Sequence, residues 1–143
     1  YIWCAERGFR IEKIAGDGHC LYAALGKSRS LNSNEVRTII HDRAEDFWDH
    51  HIEFDYQLGS LETFRENTMN PRLWGGQDQI LMWSKIYRIK IEVYALNMAL
   101  LTYDADIFIP DKECIRLLYC NQKIWGNAPN HYDLLHQMEE HKT

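Results

Sequence analysis

The sequence predicts an α+β domain in which a mostly antiparallel central sheet packs between helices. In the first part of the chain, apolar residues recur at steps of three and four, as at Val36, Ile40 and Ala44, a pattern typical of amphipathic helices. From residue 89 to residue 95 apolar and polar residues alternate, which is typical of a strand with one buried face. Helices followed by strands, with short connections between them, favour this fold class.

The length and composition of the chain are typical of a single globular domain with free cysteines. A chain of 143 residues with 45% hydrophobic content is long enough to form one domain with its own core. Because it starts at Tyr1 without an initiator methionine, we interpret it as a single domain excised from a longer protein. Its four cysteines form no Cys-x-x-Cys motif and no signal-peptide pattern is seen, so we expect free thiols in a cytoplasmic location.

The net negative charge of the chain indicates which kinds of molecule it can bind. The formal net charge is −5 and the sequence has no cluster of lysine or arginine. This argues against a nucleic acid or a membrane surface and favours a partner that carries basic residues. The acidic stretch at residues 42–55 is either a solvated helix face or a contact for such a partner.

The first half of the chain predicts helices around a glycine turn. Residues 1–15 are ambiguous, because Phe9, Ile11 and Ile14 fit either a short strand or a lead-in that packs on the core. A helix starts at Cys20 and a loop follows at residues 27–31. Asn32 or Ser33 is the expected N-cap of a long helix with apolar positions running to Phe54. That helix is predicted to expose its polar face, which comprises Glu35, Arg37, Asp42, Asp46 and Asp49.

The second half predicts two more helices and then strands. Ser60 is the expected N-cap of a helix that Asn70 and Pro71 end, and a further helix spans about residues 77–87. Strands are predicted at residues 89–95, 100–109, 115–119 and 131–136, with turns near Asn97 and at 110–112 and a loop at 121–130.

Cys20 is the candidate nucleophile. It follows Gly16-Asp17-Gly18-His19 at the start of an apolar helix, where unpaired N–H groups and the helix dipole favour a thiolate. Such a setting can lower a cysteine pKa to roughly 3.5 to 7.5. Taken alone, a cysteine at a helix start is more often a small buried residue.

His131 and Asp133 are the candidate base and orienting acid. Residues two apart on a strand point to the same face, so the Asp133 carboxylate can reach the His131 ring while Tyr132 packs on the other side. A cysteine hydrolase needs such a pair, and the N–H groups of residues 17–20 would face the oxyanion. Without Cys20 the pair would be ordinary surface residues of an edge strand.

Three motifs together resemble the signature blocks of the ovarian tumour (OTU) family of cysteine proteases. They are Asp17-Gly18-His19-Cys20-Leu21-Tyr22, Trp74-Gly75-Gly76 and His131-Tyr132-Asp133. The resemblance implies a papain-like fold and a deubiquitinase that cleaves the isopeptide bond after the C-terminal glycine of ubiquitin, through a thioester acyl-enzyme. By position, Cys20 is then the nucleophile, His131 the general base and Asp133 the orienting acid, and Asp17 shapes the oxyanion loop.

The family substrate also suggests which residues bind it. The ubiquitin tail ends in Arg-Gly-Gly after a further arginine, so it needs a narrow channel and acidic surroundings. The residues expected to line that channel are Gly18, His19, Trp74, Gly75, Gly76, Trp125, Gly126 and Asn130. The Trp74-Gly75-Gly76 turn fits a purely structural role equally well.

Other features carry less information. Gln79 stands where many family members have a glutamate, a difference that we expect to affect local packing or the electrostatics of the helix end and not the triad. His41, His50 and His51 lack zinc-ligand spacing, so neither a metal nor another cofactor is expected. Cys114 and Cys120 are expected to be core or half-buried thiols.

Two alternatives remain beside a ubiquitin protease. One is the same chemistry on another ubiquitin-like modifier, and the other is a catalytically silent module that binds ubiquitin. We expect a monomer in the cytoplasm, or in the host cytosol if the source is viral or bacterial. The ubiquitin linkage preference is left open.

Overall fold

The structure confirms the predicted α+β class. It is a computed structural model that describes residues 2–48, 60–95, 99–104, 112–120 and 131–138. In chain order its elements are α1 (Ile2–Glu6), β1 (Phe9–Glu12), α2 (Cys20–Gly26), a 3₁₀ turn (Lys27–Arg29), α3 (Ser33–Arg43), α4 (Glu45–Trp48), α5 (Leu61–Met69), α6 (Gln77–Tyr87), β2 (Lys90–Tyr94), β3 (Leu101–Asp104), β4 (Cys114–Cys120) and β5 (His131–Gln137).

The five strands form one sheet in the order β1-β5-β4-β2-β3. Three neighbouring pairs are antiparallel, as predicted for a mostly antiparallel sheet. The pair of β2 and β4 is parallel. Strand β3 lies on one side of β2 at the edge of the sheet, and β4 lies on the other side. The strand that carries His131 therefore lies inside the sheet, between β1 and β4, and not at its edge.

Helices cover both faces of the sheet. The larger core joins α2, α3, α5 and α6 to one face through buried residues that include Leu21, Ile40, Phe64, Trp83 and Leu117. On the other face, Cys4 of α1 packs with Leu118 and Leu135. Leu117 and Leu118 reach opposite faces because successive side chains of a strand alternate. Helix α1 was not predicted, since its five residues are too few to show a helical period.

Two helix starts match the predicted caps. The Asn32 side chain accepts a hydrogen bond from Glu35 N at 2.8 Å, and Glu35 Oε1 accepts one from Asn32 N at 3.0 Å. Ser60 Oγ accepts from Thr63 N at 3.2 Å. Each side-chain oxygen thus satisfies an N–H group that a helix start would leave without a partner.

Two details of the predicted α3 are wrong. The helix ends at Arg43 and the short α4 follows, whereas one continuous helix to Phe54 was predicted; the last residues of that prediction lie outside the described ranges. Arg37, predicted to be exposed, is only 2% exposed. Its side chain points at the end of α5 and the segment after it, where backbone carbonyl groups accept its hydrogen bonds.

Other predictions fall partly outside the described ranges. The 27–31 segment was predicted as a loop and contains the 3₁₀ turn instead. The strand predicted at 100–109 is described as β3 over Leu101–Asp104. The loop at 121–130 and the turn near Asn97 lie outside the described residues, as do residues 110 and 111 of the turn at 110–112.

Candidate active site

Strand β5 places His131 and Asp133 side by side. His131 Nε2 lies 2.7 Å from Asp133 Oδ1, and the two side chains are each 1% exposed. The intervening Tyr132 points to the opposite face, where its ring stacks on Tyr119 with centroids 4.7 Å apart. A carboxylate only accepts hydrogen bonds, so Nε2 of His131 is the donor to Asp133.

The Asp133 carboxylate is held from several directions. Its Oδ1 also accepts a hydrogen bond from Ile14 N at 2.8 Å. Its Oδ2 accepts from the Cys120 thiol at 3.7 Å and lies 3.9 Å from Lys13 Nζ. A buried carboxylate without such partners would be costly. These contacts fix the oxygen that orients His131.

Helix α2 brings Cys20 against the same strand. Cys20 is the first residue of α2 and is 7% exposed. A hydrogen bond from the backbone of Tyr132 reaches its thiol. The packing of α2 on β5 therefore places Cys20 next to Tyr132, the residue between His131 and Asp133.

The pKa of the Cys20 thiol is raised in the structure, whereas the sequence predicted that it would be lowered. Burial raises the pKa of the Cys20 thiol above its ordinary value, and the Asp17 carboxylate raises it further. Hydrogen bonds from the backbone of Tyr132 and Leu21 lower the pKa but do not offset burial. The predicted lowering of this pKa at the helix start is wrong, because the loss of water around the charged form outweighs the backbone hydrogen bonds that favour it.

The loop before Cys20 has a defined turn. Gly18 has a φ of +87°, which a side chain would strain. Asp17 Oδ1 accepts a hydrogen bond from His19 N at 3.0 Å. The N–H group of His19 is thereby occupied, which corrects the expectation that all the N–H groups of residues 17–20 face an oxyanion.

The turn at Trp74 and Gly75 packs directly on this loop. A Cβ added at Gly18 would lie 2.9 Å from Trp74 Nε1, and one at Gly75 would lie 2.7 Å from Leu21 Cδ2. The loop before Cys20 and the turn at Trp74 and Gly75 border a small cleft, here called the Cys20 cleft. It is lined by Gly18, Cys20, Leu21, Trp74, Gly75, Tyr119 and Tyr132. The absence of side chains at the two glycines sets how closely the walls approach.

Not every predicted substrate-binding residue lines this cleft. Gly18, Trp74 and Gly75 do, whereas His19 and Gly76 do not. His19 Nδ1 instead meets Arg37 Nη2 at 2.9 Å. Of the remaining predicted residues, Trp125, Gly126 and Asn130 lie outside the described residues.

Gln79 has a local structural role. Its Oε1 accepts a hydrogen bond from Gly76 N at 2.9 Å, and its Nε2 donates to Thr68 Oγ1 at 3.3 Å. An amide can donate and accept at once, whereas a carboxylate could only accept. This agrees with the expectation that Gln79 affects packing around α6 and leaves the triad untouched.

Sequence reasoning missed two residues near the site. Cys120 pairs with His131 across β4 and β5 and donates to Asp133. Only the pairing register reveals this neighbour, and no sequence signal could have identified it. Arg37 is the second, and it was placed on the wrong face of α3.

The described residues contain no group of three or more His, Cys, Asp or Glu side chains arranged to hold a metal ion. In the same ranges, no helix has the length and apolar character required to cross a bilayer.

The match to a protein family decides the classification. The sequence model of the OTU-like cysteine proteases matches residues 15–132. The chain belongs to this family. The matched range contains both Cys20 and His131.

Two curated relatives match part of this chain. Protein L96 of Tipula iridescent virus is 27% identical over 115 residues, which cover 67% of this chain and 13% of L96. Deubiquitinase OTUD6B of Xenopus tropicalis is 28% identical over 102 residues, covering 62% of this chain and 35% of OTUD6B. The chain therefore matches only a minor part of each relative's length.

Solved structures share the fold. The OTU domain of OTUD1 superposes with a TM-score of 0.72 at 18% identity, covering 94% of this chain and 90% of that one. The Hazara virus OTU bound to ubiquitin gives a TM-score of 0.69 at 18% identity, covering 91% and 82%. The predicted OTU-type fold is confirmed.

Proposed function

We propose that this domain is a deubiquitinase that hydrolyses the isopeptide bond after the C-terminal glycine of ubiquitin, with Cys20 as nucleophile. The observation that carries the proposal is the buried His131–Asp133 pair, 2.7 Å apart, on the strand against which the Cys20 helix packs. The name of OTUD6B and the ubiquitin bound to the Hazara virus OTU support the choice of substrate.

In this proposal His131 is the general base. Because burial disfavours the charged form of Cys20, the thiol needs a base to take its proton as it attacks. Nδ1 of His131 takes that proton, and the Asp133 carboxylate stabilises the resulting imidazolium. Proton transfer of this kind contributes about 10²- to 10⁴-fold in rate.

The remaining steps follow from the same groups. The Cys20 sulfur bonds to the glycine carbonyl carbon, and the imidazolium returns its proton to the leaving lysine amine as the C–N bond breaks. Water activated by His131 then hydrolyses the thioester. The N–H group of Cys20, at the first turn of α2, is the proposed oxyanion donor, while Asp17 shapes the loop by holding the N–H group of His19.

The Cys20 cleft suits a glycine-ended tail. Its walls meet at Gly18 and Gly75, where an added Cβ would already lie within 3.0 Å of the opposite wall. The two glycines thus keep the walls close together, as a narrow channel for a tail without side chains requires. The acidic net charge of −5 favours the arginines that precede the terminal glycines.

The decisive test is reaction with ubiquitin that carries a thiol-reactive group at its C-terminus. The wild type should form one covalent adduct, C20A should form none, and C114A should keep it, since Cys114 is a thiol at the start of β4 that does not line the Cys20 cleft. No adduct on the wild type, or an adduct on C20A, would contradict the proposal. Parallel reactions with other ubiquitin-like modifiers test the alternative substrate, because a faster adduct with one of them would reassign the modifier but keep the chemistry.

A further inference from the structure

Arg37 makes a network of hydrogen bonds from a buried position. It lies on α3 and is 2% exposed. Its Nη1 donates to Thr68 O at 2.7 Å and to Asn70 O at 3.1 Å. Its Nη2 donates to Leu73 O at 3.2 Å and contacts His19 Nδ1 at 2.9 Å. A single nitrogen atom thus joins the residue before Cys20 to the residue before Trp74.

The charge of this side chain is costly where it lies. Burial lowers the pKa of Arg37, as expected when water is removed from a cation. Among the described residues its partners are carbonyl groups, the His19 ring and the face of Tyr22, whose centroid lies 4.1 Å from the guanidinium carbon. Apolar side chains of similar volume often fill a buried site at no loss of stability. The several N–H donors of the Arg37 guanidinium therefore indicate that this side chain holds neighbouring segments in position.

The contact with His19 has a defined protonation state. A guanidinium only donates hydrogen bonds, so His19 Nδ1 must accept. The His19 ring is then neutral and carries its proton at Nε2. This fixes both the ring and the backbone that leads into Cys20.

We propose that Arg37 is a positioning residue for the reaction at Cys20. It holds the His19 side of the Cys20 cleft and the Leu73–Trp74 side at a fixed separation, so that nucleophile and cleft are preformed. The inference rests on the proposed function, because it concerns the same cleft.

The test compares substitutions of Arg37 with a matched control. R37M removes all the donors but keeps the length of the side chain, and R37K keeps the charge but presents a single ammonium that cannot reach all four acceptors. The control is R65M, since Arg65 also donates to a backbone carbonyl, that of His41 at 3.0 Å, but does not line the cleft. The measurement is the turnover of a fluorogenic ubiquitin amide per titrated active site, which removes the effect of unfolded protein.

R37M should lower turnover per active site by about 10- to 100-fold, the range expected when reacting groups are displaced by about 1 Å. R37K should lose less, and R65M should match the wild type. H19L should lower turnover on its own and add little to R37M, because residues in one network give coupled effects. Normal turnover per site in both R37M and R37K, or fully additive effects of R37M and H19L, would overturn the proposal.

Two measurements need no ubiquitin. The rate of Cys20 alkylation by iodoacetamide should change in R37M and not in R65M. Nitrogen NMR of the His19 ring should show a proton at Nε2 in the wild type and a mixture of tautomers in R37M. If the wild type fails to turn over ubiquitin, the proposed function fails, while these two readouts still decide the role of Arg37. An unchanged alkylation rate together with an unchanged tautomer would refute it. If R37M does not fold, R37K and H19L provide the same comparison.

Discussion

Gly18 has a backbone conformation that only glycine adopts easily, and it also lines the Cys20 cleft. Its replacement by alanine therefore tests both features. Its φ is +87°, in the left-handed region that side chains disfavour. The new Cβ would also lie 2.9 Å from Trp74 Nε1 and 3.2 Å from Trp74 Cδ1. Either the loop or the indole must move.

The two effects act on different properties. The backbone strain should cost about 1–2 kcal/mol of unfolding free energy, which lowers Tm by roughly 3–8 °C in a domain of this size. Trp74 is 49% exposed, so its ring can shift at little cost in stability. That shift moves the wall opposite Cys20 and should reduce turnover per active site by about tenfold or more.

The matched control is G26A. A Cβ at Gly26 would lie 2.6 Å from both Leu31 O and Val36 Cγ2, and overpacking of this kind costs about 1–3 kcal/mol. Gly26 is the last residue of α2, at the end opposite Cys20. G26A should therefore lose as much stability as G18A and keep its turnover per active site.

The assay is thermal unfolding together with turnover of a fluorogenic ubiquitin amide, corrected by active-site titration. Wild-type turnover per site in G18A would refute the role of Gly18 in setting the cleft. An equal loss in G26A would show that lower stability alone explains the effect.

The other predictions concern the triad, the thiols and a helix cap. D133A should lower turnover by about 10- to 100-fold, since it removes a charge-assisted hydrogen bond of about 1.5–3 kcal/mol to His131; D133N keeps an acceptor and should lose less, and the reverse order would contradict the orienting role. Because burial raises the Cys20 pKa, less thiolate is present at neutral pH than in a free cysteine. Alkylation of Cys20 should therefore increase toward alkaline pH with an apparent pKa above that of glutathione, and a neutral plateau would disprove this; Cys120, whose pKa is raised to about 12, should react more slowly. N32A should cost about 1 kcal/mol by removing the capping box of α3, measured by urea unfolding, with turnover per site unchanged; an unaltered midpoint would contradict it.

The sequence by itself determined much of the local structure. Capping side chains and apolar periods depend on neighbouring residues, so Asn32, Ser60 and the alternation in β2 predicted helix starts and a strand where the structure has them. The same locality explains why His131 and Asp133 were correctly expected on one face, because residues two apart on a strand always share it.

Only the tertiary structure decided the features that depend on distant elements. The parallel pairing of β2 with β4 follows from the sheet order, and the contact between Cys120 and Asp133 follows from the register of β4 and β5. Neither can be inferred from residues adjacent in sequence.

The burial of Arg37 and Cys20 is the clearest example of a feature that only the tertiary structure decided. The local pattern placed Arg37 in water and favoured a thiolate at Cys20, since a helix period and a helix start are all that the neighbouring residues show. The packed structure surrounds Arg37 with carbonyl groups and removes water from Cys20, which reverses both expectations. Desolvation depends on every element that packs around a group, and for that reason the electrostatics of this site were set by the fold.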